Sequence, residues 1–282
     1  MGSPPGQSQS YPGETGKMDP RPRDEMRGYE GRGLLAGRRA LITGGDSGIG
    51  RAVAVAFAKE GADVAITYLE EDADARHTAG LVEKEGRRCL TFGGDLADER
   101  HTREVVGRAA EGLGGLDVLV LHHGTQEPVD DVREIGTEQL DRTFRVNVHS
   151  LFWTVQEALG HLPDDGAIVI TGSINGLRGN KTLIDYSASK AAAMTFAQCL
   201  AQSLMERGIR VNTVSPGPVW TPLIPATFDE DRVEGFGEQA PMGRPADPDE
   251  IAPSYVFFAS GRLSSYYTGQ NLVPAGGEIH PG

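Results

Sequence analysis

Residues 40–50 read Ala-Leu-Ile-Thr-Gly-Gly-Asp-Ser-Gly-Ile-Gly, so a short apolar run, a glycine-rich turn and helix-compatible sequence follow one another without a gap. That succession opens a βαβ unit. Glycines at such a turn let the backbone bend sharply and approach a bound anion, while the free N–H groups and positive dipole end of the following helix meet its charge. Gly44, Gly48 and Gly50 are the close-approach positions. The spacing is Gly-x-x-x-Gly-x-Gly rather than Gly-x-Gly-x-x-Gly, so the loop alone is a weak dinucleotide signal. A tight turn without a ligand explains one or two of the three glycines, and the surrounding sequence has to account for the rest.

That sequence alternates short β-rich runs with longer helical patterns, which predicts a parallel sheet. The expected strands are Ala40–Gly44, Val64–Leu69, Cys89–Gly93, Val118–Leu121, Ala167–Thr171, Val211–Ser215 and Leu272–Val273. Helices are expected over Ile49–Glu60, Ala73–Glu85 and Glu99–Glu111, with glycine just past each end as a C-cap. Two longer helical segments, Gln139–His161 and Tyr186–Arg207, have apolar residues on more than one face, which suggests burial against both the sheet and another subunit. The 282 residues permit one large core or two small ones, and the unbroken alternation selects one. The expected fold is a single doubly wound α/β domain of the Rossmann type, with a seven-stranded, mainly parallel sheet.

Residues 1 to about 33 differ in kind. Pro4, Pro5, Pro12, Pro20 and Pro22 stand among glycines and charges with no helical or strand period, so this stretch is read as an extended or disordered arm that forms no core. It either trails in solvent or lies over a neighbouring subunit. The domain proper is placed at residues 34–282. A formal charge of −13 argues against nucleic acid as a partner, because an acidic surface repels a polyanion. No run approaches the roughly 18 apolar residues of a spanning helix. The only cysteines, Cys89 and Cys199, lack metal-ligand spacing and are read as core residues. A cytoplasmic protein without a membrane partner is expected.

Tyr186-Ser187-Ala188-Ser189-Lys190 stands near the start of a helix, so Tyr186 and Lys190 share a face. A free phenol has a pKa of about 10, and a nearby ammonium favours its phenolate form, which suits proton transfer. Ser173 follows the fifth strand, at the carboxyl end where a doubly wound sheet carries its crevice. Asn147 is placed to set a side-chain amide and a backbone carbonyl beside Lys190 through a water. His122 and His123 adjoin Gly124, but neighbours on an extended chain face opposite ways and no third ligand is spaced to help, so no metal is expected.

Together these residues resemble the short-chain dehydrogenase/reductase family in its single-domain branch, over most of residues 35–280. Thr43 through Gly50 is similar to its Thr-Gly-x-x-x-Gly-x-Gly loop, and Asn147, Ser173, Tyr186 and Lys190 match its catalytic tetrad in order and spacing. The arm and the Gly-Gly-Asp-Ser loop resemble a bacterial subgroup with an extended N-terminus. The resemblance implies that Tyr186 acts as acid or base, Lys190 lowers its pKa and binds the cofactor ribose, Ser173 orients the carbonyl and Asn147 holds a relay water. It also implies a cofactor set of Gly44, Asp46, Ser47, Gly48, Ile49, Gly50, Tyr68, Asp95, Leu96, Gly124, Tyr186, Lys190, Pro216, Gly217, Val219 and Thr221. Within that set Asp95 contacts adenine, and the segment from Pro216 to Thr221 closes over the nicotinamide. Two features depart from the family pattern. Leu121-His122-His123-Gly124 stands where the family usually has Asn-Asn-Ala-Gly, and Pro253 falls inside an expected helix, which it should kink.

Tyr68-Leu69-Glu70-Glu71 after the second strand and Ser47 before Gly48 present no arginine to a 2′-phosphate, and the carboxylates repel one. NAD(H) is therefore favoured over NADP(H). The expected activity is reversible hydride transfer between the cofactor and a small carbonyl or alcohol substrate. Residues 218–246 are expected to cover that substrate, with Asn175, Arg178, Leu183 and Trp220 near its pocket, and family habit implies a homotetramer. The alternatives are a dinucleotide-binding sensor or scaffold without turnover, and an epimerase or dehydratase. The tetrad weighs against the first, and the short stretch after the seventh strand weighs against the second.

Overall fold

The computed structural model describes residues 3–279. Its centre is a seven-stranded sheet in the order β3-β2-β1-β4-β5-β6-β7, with every pairing parallel. The strands are β1 (Arg39–Thr43), β2 (Asp63–Tyr68), β3 (Cys89–Gly93), β4 (Val118–Leu121), β5 (Ala167–Thr171), β6 (Arg210–Val214) and β7 (Asn271–Leu272). Successive side chains of a strand point to opposite faces, and here both faces are apolar. Ala40 and Ile42 of β1, with Val118 and Val120 of β4, enter one core cluster, whereas Leu41, Leu119 and Leu121 enter the other.

Helices cover both faces. α1 (Gly48–Lys59), α2 (Asp72–Lys84) and α10 (Pro248–Ala259) pack on the first cluster, and α3 (Glu99–Leu113), α5 (Ser150–Ala158) and α7 (Ile184–Ser203) pack on the second. The remaining helices are α4 (Thr137–Phe144), α6 (Ile174–Arg178), α8 (Leu223–Thr227), α9 (Glu230–Val233) and α11 (Gly261–Ser264). Strand order runs outward from β1 to β3 and then returns to β4 on the other side of β1. The resulting switch point, between β1 and β4, is where such sheets open a crevice. Among the described residues no helix is long and apolar enough to cross a membrane.

The structure corrects several expectations. The helix expected over Gln139–His161 is split by a π-helical turn, Arg145–His149, between α4 and α5. The Val146 carbonyl there is met by the His123 ring and by the Ser150 hydroxyl, and side chains that enter the helical ladder in this way widen it. Cys89 is half-buried on the edge strand β3, and Cys199 is exposed on α7. Apolar residues on several faces of α7 hid which of them face the sheet. Pro253 lies inside α10, where the sequence places it.

The arm differs most from expectation. Among its described residues it carries one short 3-10 turn, Thr15–Lys17, yet it lies along its own chain, and Met18 and Met26 are buried there. Met26 joins the core cluster of β1 and α1. Apolar residues that join an existing core singly leave no periodic trace. The arm is also held by charge. Arg51 of α1 is buried and reaches Asp24 of the arm at 2.9 Å and Asp74 of α2 at 2.6 Å, while its Nε donates to Thr78 Oγ1 and the Asp46 carbonyl. Burial still pushes the Asp24 carboxyl up to about 6.

Removing one partner of a buried ion cluster leaves the others uncompensated. Arg51→Met should cost roughly 3–5 kcal/mol in urea unfolding, because it strands two buried carboxylates. Arg103→Ala, which breaks a surface pair with Glu99, should cost about 1 kcal/mol or less. Equal losses from the two would refute this weighting.

Candidate active site

The site begins where β1 turns into α1. Ser47 occupies the N-cap position of α1, but its side chain caps no backbone N–H, so the first-turn donors face the crevice uncapped. Gly48 has φ +51°, a conformation that L side chains rarely adopt, and an added Cβ would lie 3.0 Å from Thr221 Cγ2. At Gly50 a Cβ would fall 1.9 Å from the Gly44 carbonyl oxygen, so only glycine lets the helix pack against the loop. Asp46 is buried behind the loop, where burial and the Glu71 charge push its carboxyl up to about 7. Its carbonyl accepts from Arg51 and Thr78, which fixes the loop.

A cavity of about 970 Å³ opens along the carboxyl ends of the strands. Of the cofactor residues read from the sequence, every one except Gly50 lines it. Gly50 serves packing instead. Ser173 lies on the wall, buried, at the N-cap of α6, where its Oγ accepts from Asn175 N at 3.1 Å. Asn175, Arg178 and Leu183 line the cavity, but Trp220 does not. Trp220 is wholly buried beside Met18 and donates its indole N–H to the Pro20 carbonyl of the arm at 2.7 Å.

Tyr186 and Lys190 project from the first turns of α7 into the same cavity. Lys190 Nζ donates to the Thr171 carbonyl at 2.9 Å and stands 5.8 Å from the Tyr186 ring centroid. Burial lowers the ammonium to about 8. Tyr186 does not behave as expected in the free chain, because burial raises its phenol, and only the Ser173 hydroxyl opposes the rise. The ammonium lies over the face of the ring and spends one of its three N–H groups on the Thr171 carbonyl.

Asn147 sits in the π-helical turn, 1% exposed, behind the cavity wall rather than on it. Its amide donates to the Thr125 carbonyl at 2.8 Å and to Ser189 Oγ at 3.0 Å, and its Oδ1 accepts from Thr125 N at 2.8 Å. It therefore pins the β4 loop to α7 between Tyr186 and Lys190. Gly124 leaves room for this, since a Cβ there would meet both Asn147 Oδ1 and Lys190 Nζ at 3.3 Å.

His122 stands where the family usually has its second asparagine and His123 where it has alanine, and both line the cavity. His123 meets Thr43 Oγ1 at 2.7 Å and Ser150 Oγ at 2.6 Å, and His122 meets Thr171 Oγ1 at 3.1 Å. Burial first, and the Lys190 charge second, lower both rings to about 3, so they tie strand ends together as neutral groups. No cluster of metal-ligating side chains occurs among the described residues. Sequence reasoning missed Arg142, which lines the cavity from α4 and pairs with Asp95, and also Tyr11 and Pro12 of the arm. No local motif marks these three, since only the fold brings them to the site.

An uncapped helix N-terminus, glycines that leave space along the loop and an elongated crevice past the switch point fit a dinucleotide. Gly44, Gly48 and Ile49 would hold its pyrophosphate, the ends of β2 and β3 its adenosine, and Lys190 its nicotinamide ribose.

Comparison with known proteins agrees. The family described as enoyl-(acyl carrier protein) reductase matches residues 44–278. The uncharacterized oxidoreductase YhdF of Bacillus subtilis is 49% identical over 99% of this chain and 96% of its own. The glucose and ribitol dehydrogenase of Daucus carota is 43% identical over 98% and 97%. An NADPH-dependent aldehyde reductase of Arabidopsis thaliana, designated chloroplastic, is 41% identical over 96% of each chain. Among solved structures, a short-chain dehydrogenase from Burkholderia cenocepacia in complex with NADP superposes with a TM-score of 0.81, at 35% identity, over 86% of this chain and 98% of its own.

Two glycine substitutions separate the loop's function from general tolerance of alanine. Gly50→Ala should weaken ADP binding at least about tenfold, because the loop must move to clear the Gly44 carbonyl. Gly80→Ala, inside α2 with open space around it, should instead stabilise the chain by about 0.5–1 kcal/mol. Calorimetric titration and thermal melts check both, and ADP binding unaffected in Gly50→Ala would contradict the assignment.

Proposed function

The chain belongs to the short-chain dehydrogenase/reductase family and is an NAD(P)-dependent oxidoreductase, and from that premise we propose that it interconverts a small hydroxylated aldehyde or sugar with its alcohol form, Tyr186 exchanging the proton. The observation that carries this reading is the presence of Ser173, Tyr186 and Lys190 on the wall of the cavity that also receives the uncapped end of α1.

When bound, the nicotinamide supplies the hydride. The chain's residues do the rest. Ser173 donates a hydrogen bond to the substrate oxygen and holds it beside the phenol. Tyr186 passes its proton to that oxygen as negative charge develops there, so hydride and proton together complete the alcohol. Lys190, held by Thr171, places a positive charge near the phenolate that remains. Asn147 acts one step back, keeping the backbone around Lys190 in place. Oxidation runs the same path in reverse.

The substrate class rests on the cavity wall and on the names of relatives. Gln126, Asn175, Arg178 and Asn180 offer polar groups beside Leu183 and Phe228, and Asn175 Oδ1 is buried without a hydrogen-bond partner. Such a wall suits several hydroxyl groups more than an apolar ligand. It accords with sugar and aldehyde activities named for two relatives.

NAD(H) remains our proposed cofactor over NADP(H), although neighbouring structures are described with NADP and NADPH. Among the described residues, the basic side chains on the cavity are Arg142, Arg178, Lys190 and Arg232, and Arg142 is paired with Asp95. Around the end of β2 stand Tyr68, Leu69 and Glu71, with the Tyr68 hydroxyl donating to Asp72 at 2.7 Å. A homotetramer is supported by the outer faces of α5 and α7, where Phe152 stacks on Phe196 at 4.0 Å yet stays 43% exposed. Light scattering should give four chains, and a monomer would contradict that assembly.

Turnover with NADH and NADPH, followed by nicotinamide absorbance over a panel of aldoses and short aldehydes, tests the whole reading. Tyr186→Phe should lower kcat by about 10²–10⁴-fold with dinucleotide affinity retained. Because burial raises the phenol, it keeps its proton through neutrality, so reduction should be flat there and fall only in alkali, whereas oxidation should rise with pH. Dinucleotide binding without turnover across the panel would favour the sensor alternative.

A further inference from the structure

The N-terminal arm crosses the mouth of the cavity and is anchored on both sides of it. On one side it is laced to residues 218–246, whose ends are tied by backbone bonds between Trp220 N and the Ala246 carbonyl and between Ala246 N and the Pro218 carbonyl. Gly235 N donates to the Pro4 carbonyl at 3.3 Å and Gln9 N donates to the Pro225 carbonyl at 2.7 Å. Gly13, at φ +92°, passes so close to α8 that a Cβ would fall 2.6 Å from the Pro222 carbonyl oxygen. Met18 then completes a small apolar cluster with Trp220, Ile224 and Val233. On the other side Thr15 N donates to Asp74 of α2 at 2.9 Å, and Asp24 meets Arg51.

Within this span Tyr11 and Pro12 line the cavity itself. The Tyr11 phenol lies against the Thr125 hydroxyl, with Arg142, Glu71 and Asp95 as its charged neighbours. Those residues follow β2, β3 and β4 or face them from α4. In a doubly wound sheet that is the adenosine half of the crevice, whereas Ser173, Tyr186 and Lys190 mark the nicotinamide half. Tyr11 is 41% exposed, which leaves ring surface for a ligand. Meanwhile Thr221, Leu223, Ile224 and Phe228 of the laced segment line the same cavity.

We propose that the arm is a clasp on the dinucleotide site, in which Tyr11 closes over the adenosine moiety and the strap on either side slows cofactor release. The proposal rests on the dinucleotide reading above and adds to it a binding residue from outside the region that the family match covers, which begins at residue 44. An aromatic ring against a base is a tolerant contact that needs no donor match, and it suits a residue carried by an arm rather than by the sheet. The clasp and the substrate cover are one body, because the same stretch of arm secures residues 218–246.

The test uses the full chain with NADH and ADP as probes. Wild-type binding of NADH tests the dinucleotide reading separately. Tyr11→Ala should raise Kd for ADP and NADH in equal proportion, by about tenfold, and speed NADH release in stopped flow. Tyr11→Phe should keep most of the affinity. kcat at saturating dinucleotide should be unchanged or higher, and the thermal midpoint should hold. Tyr11→Leu, which preserves bulk, covers the case in which the alanine variant loosens the arm, and it should still lose affinity for ADP. Unchanged ADP and NADH affinity in both the alanine and leucine variants, or a loss of kcat with Kd intact, would overturn the clasp.

Discussion

The guanidinium of Arg51 ties together three parts of the chain, the arm, the glycine loop and α2. Its Nη atoms take the carboxylates of the arm and of α2, and its Nε takes the loop carbonyl of Asp46 and the hydroxyl of Thr78. The group is buried, so the arrangement holds only while every charge has its partner. The glycine loop owes its shape to that junction, because the residue that would otherwise swing freely at its centre, Asp46, is bound through its own carbonyl. The arm owes its position to the same atom group. Cofactor seat and arm are thus set by one electrostatic knot next to the first turn of α1.

The catalytic end is organised instead by hydrogen bonds to backbone and hydroxyl groups. Thr171 holds Lys190 through its carbonyl and meets Tyr255 and His122 through its hydroxyl, so the end of β5 orders three side chains. Asn147 performs a similar service for the Thr125 backbone. His122 and His123, in the stretch that departs from the family's Asn-Asn-Ala-Gly, extend this pattern, since their rings bridge β1, β4, β5 and the π-helical turn without carrying charge. Proton chemistry and structural polarity therefore sit side by side, distinguished by which groups remain free to change their bonding.

Much of this was legible in the sequence because it is local. Seven apolar runs gave seven strands, and the loop from Gly44 to Gly50 announced its own geometry. Tyr186 and Lys190 needed only a helical repeat to be placed together. What escaped the sequence depends on distant parts of the chain. Arg142 reaches the site because α4 passes over the end of β3, and Trp220 leaves it because Met18 offers a better burial. Cys199 was misjudged because helix α7 carries apolar residues on several faces, and periodicity cannot rank them. In the π-helical turn the His123 ring, 23 residues away in sequence, meets a helical carbonyl, and no propensity scale registers that.

The order in which the chain is made gives the arm a further consequence. Arg23 finds Asp247 across a separation of 224 residues, and Met26 finds Asp249 across 223. A ribosome makes the arm shortly before α1 and α2 but more than two hundred residues ahead of α10. Its seats on α1 and α2 form early, but the loop that ties it to α10 closes only when nearly the whole sheet is in place. The segment with the least secondary structure is therefore the one whose seating reports that translation has reached α10 and the domain has closed.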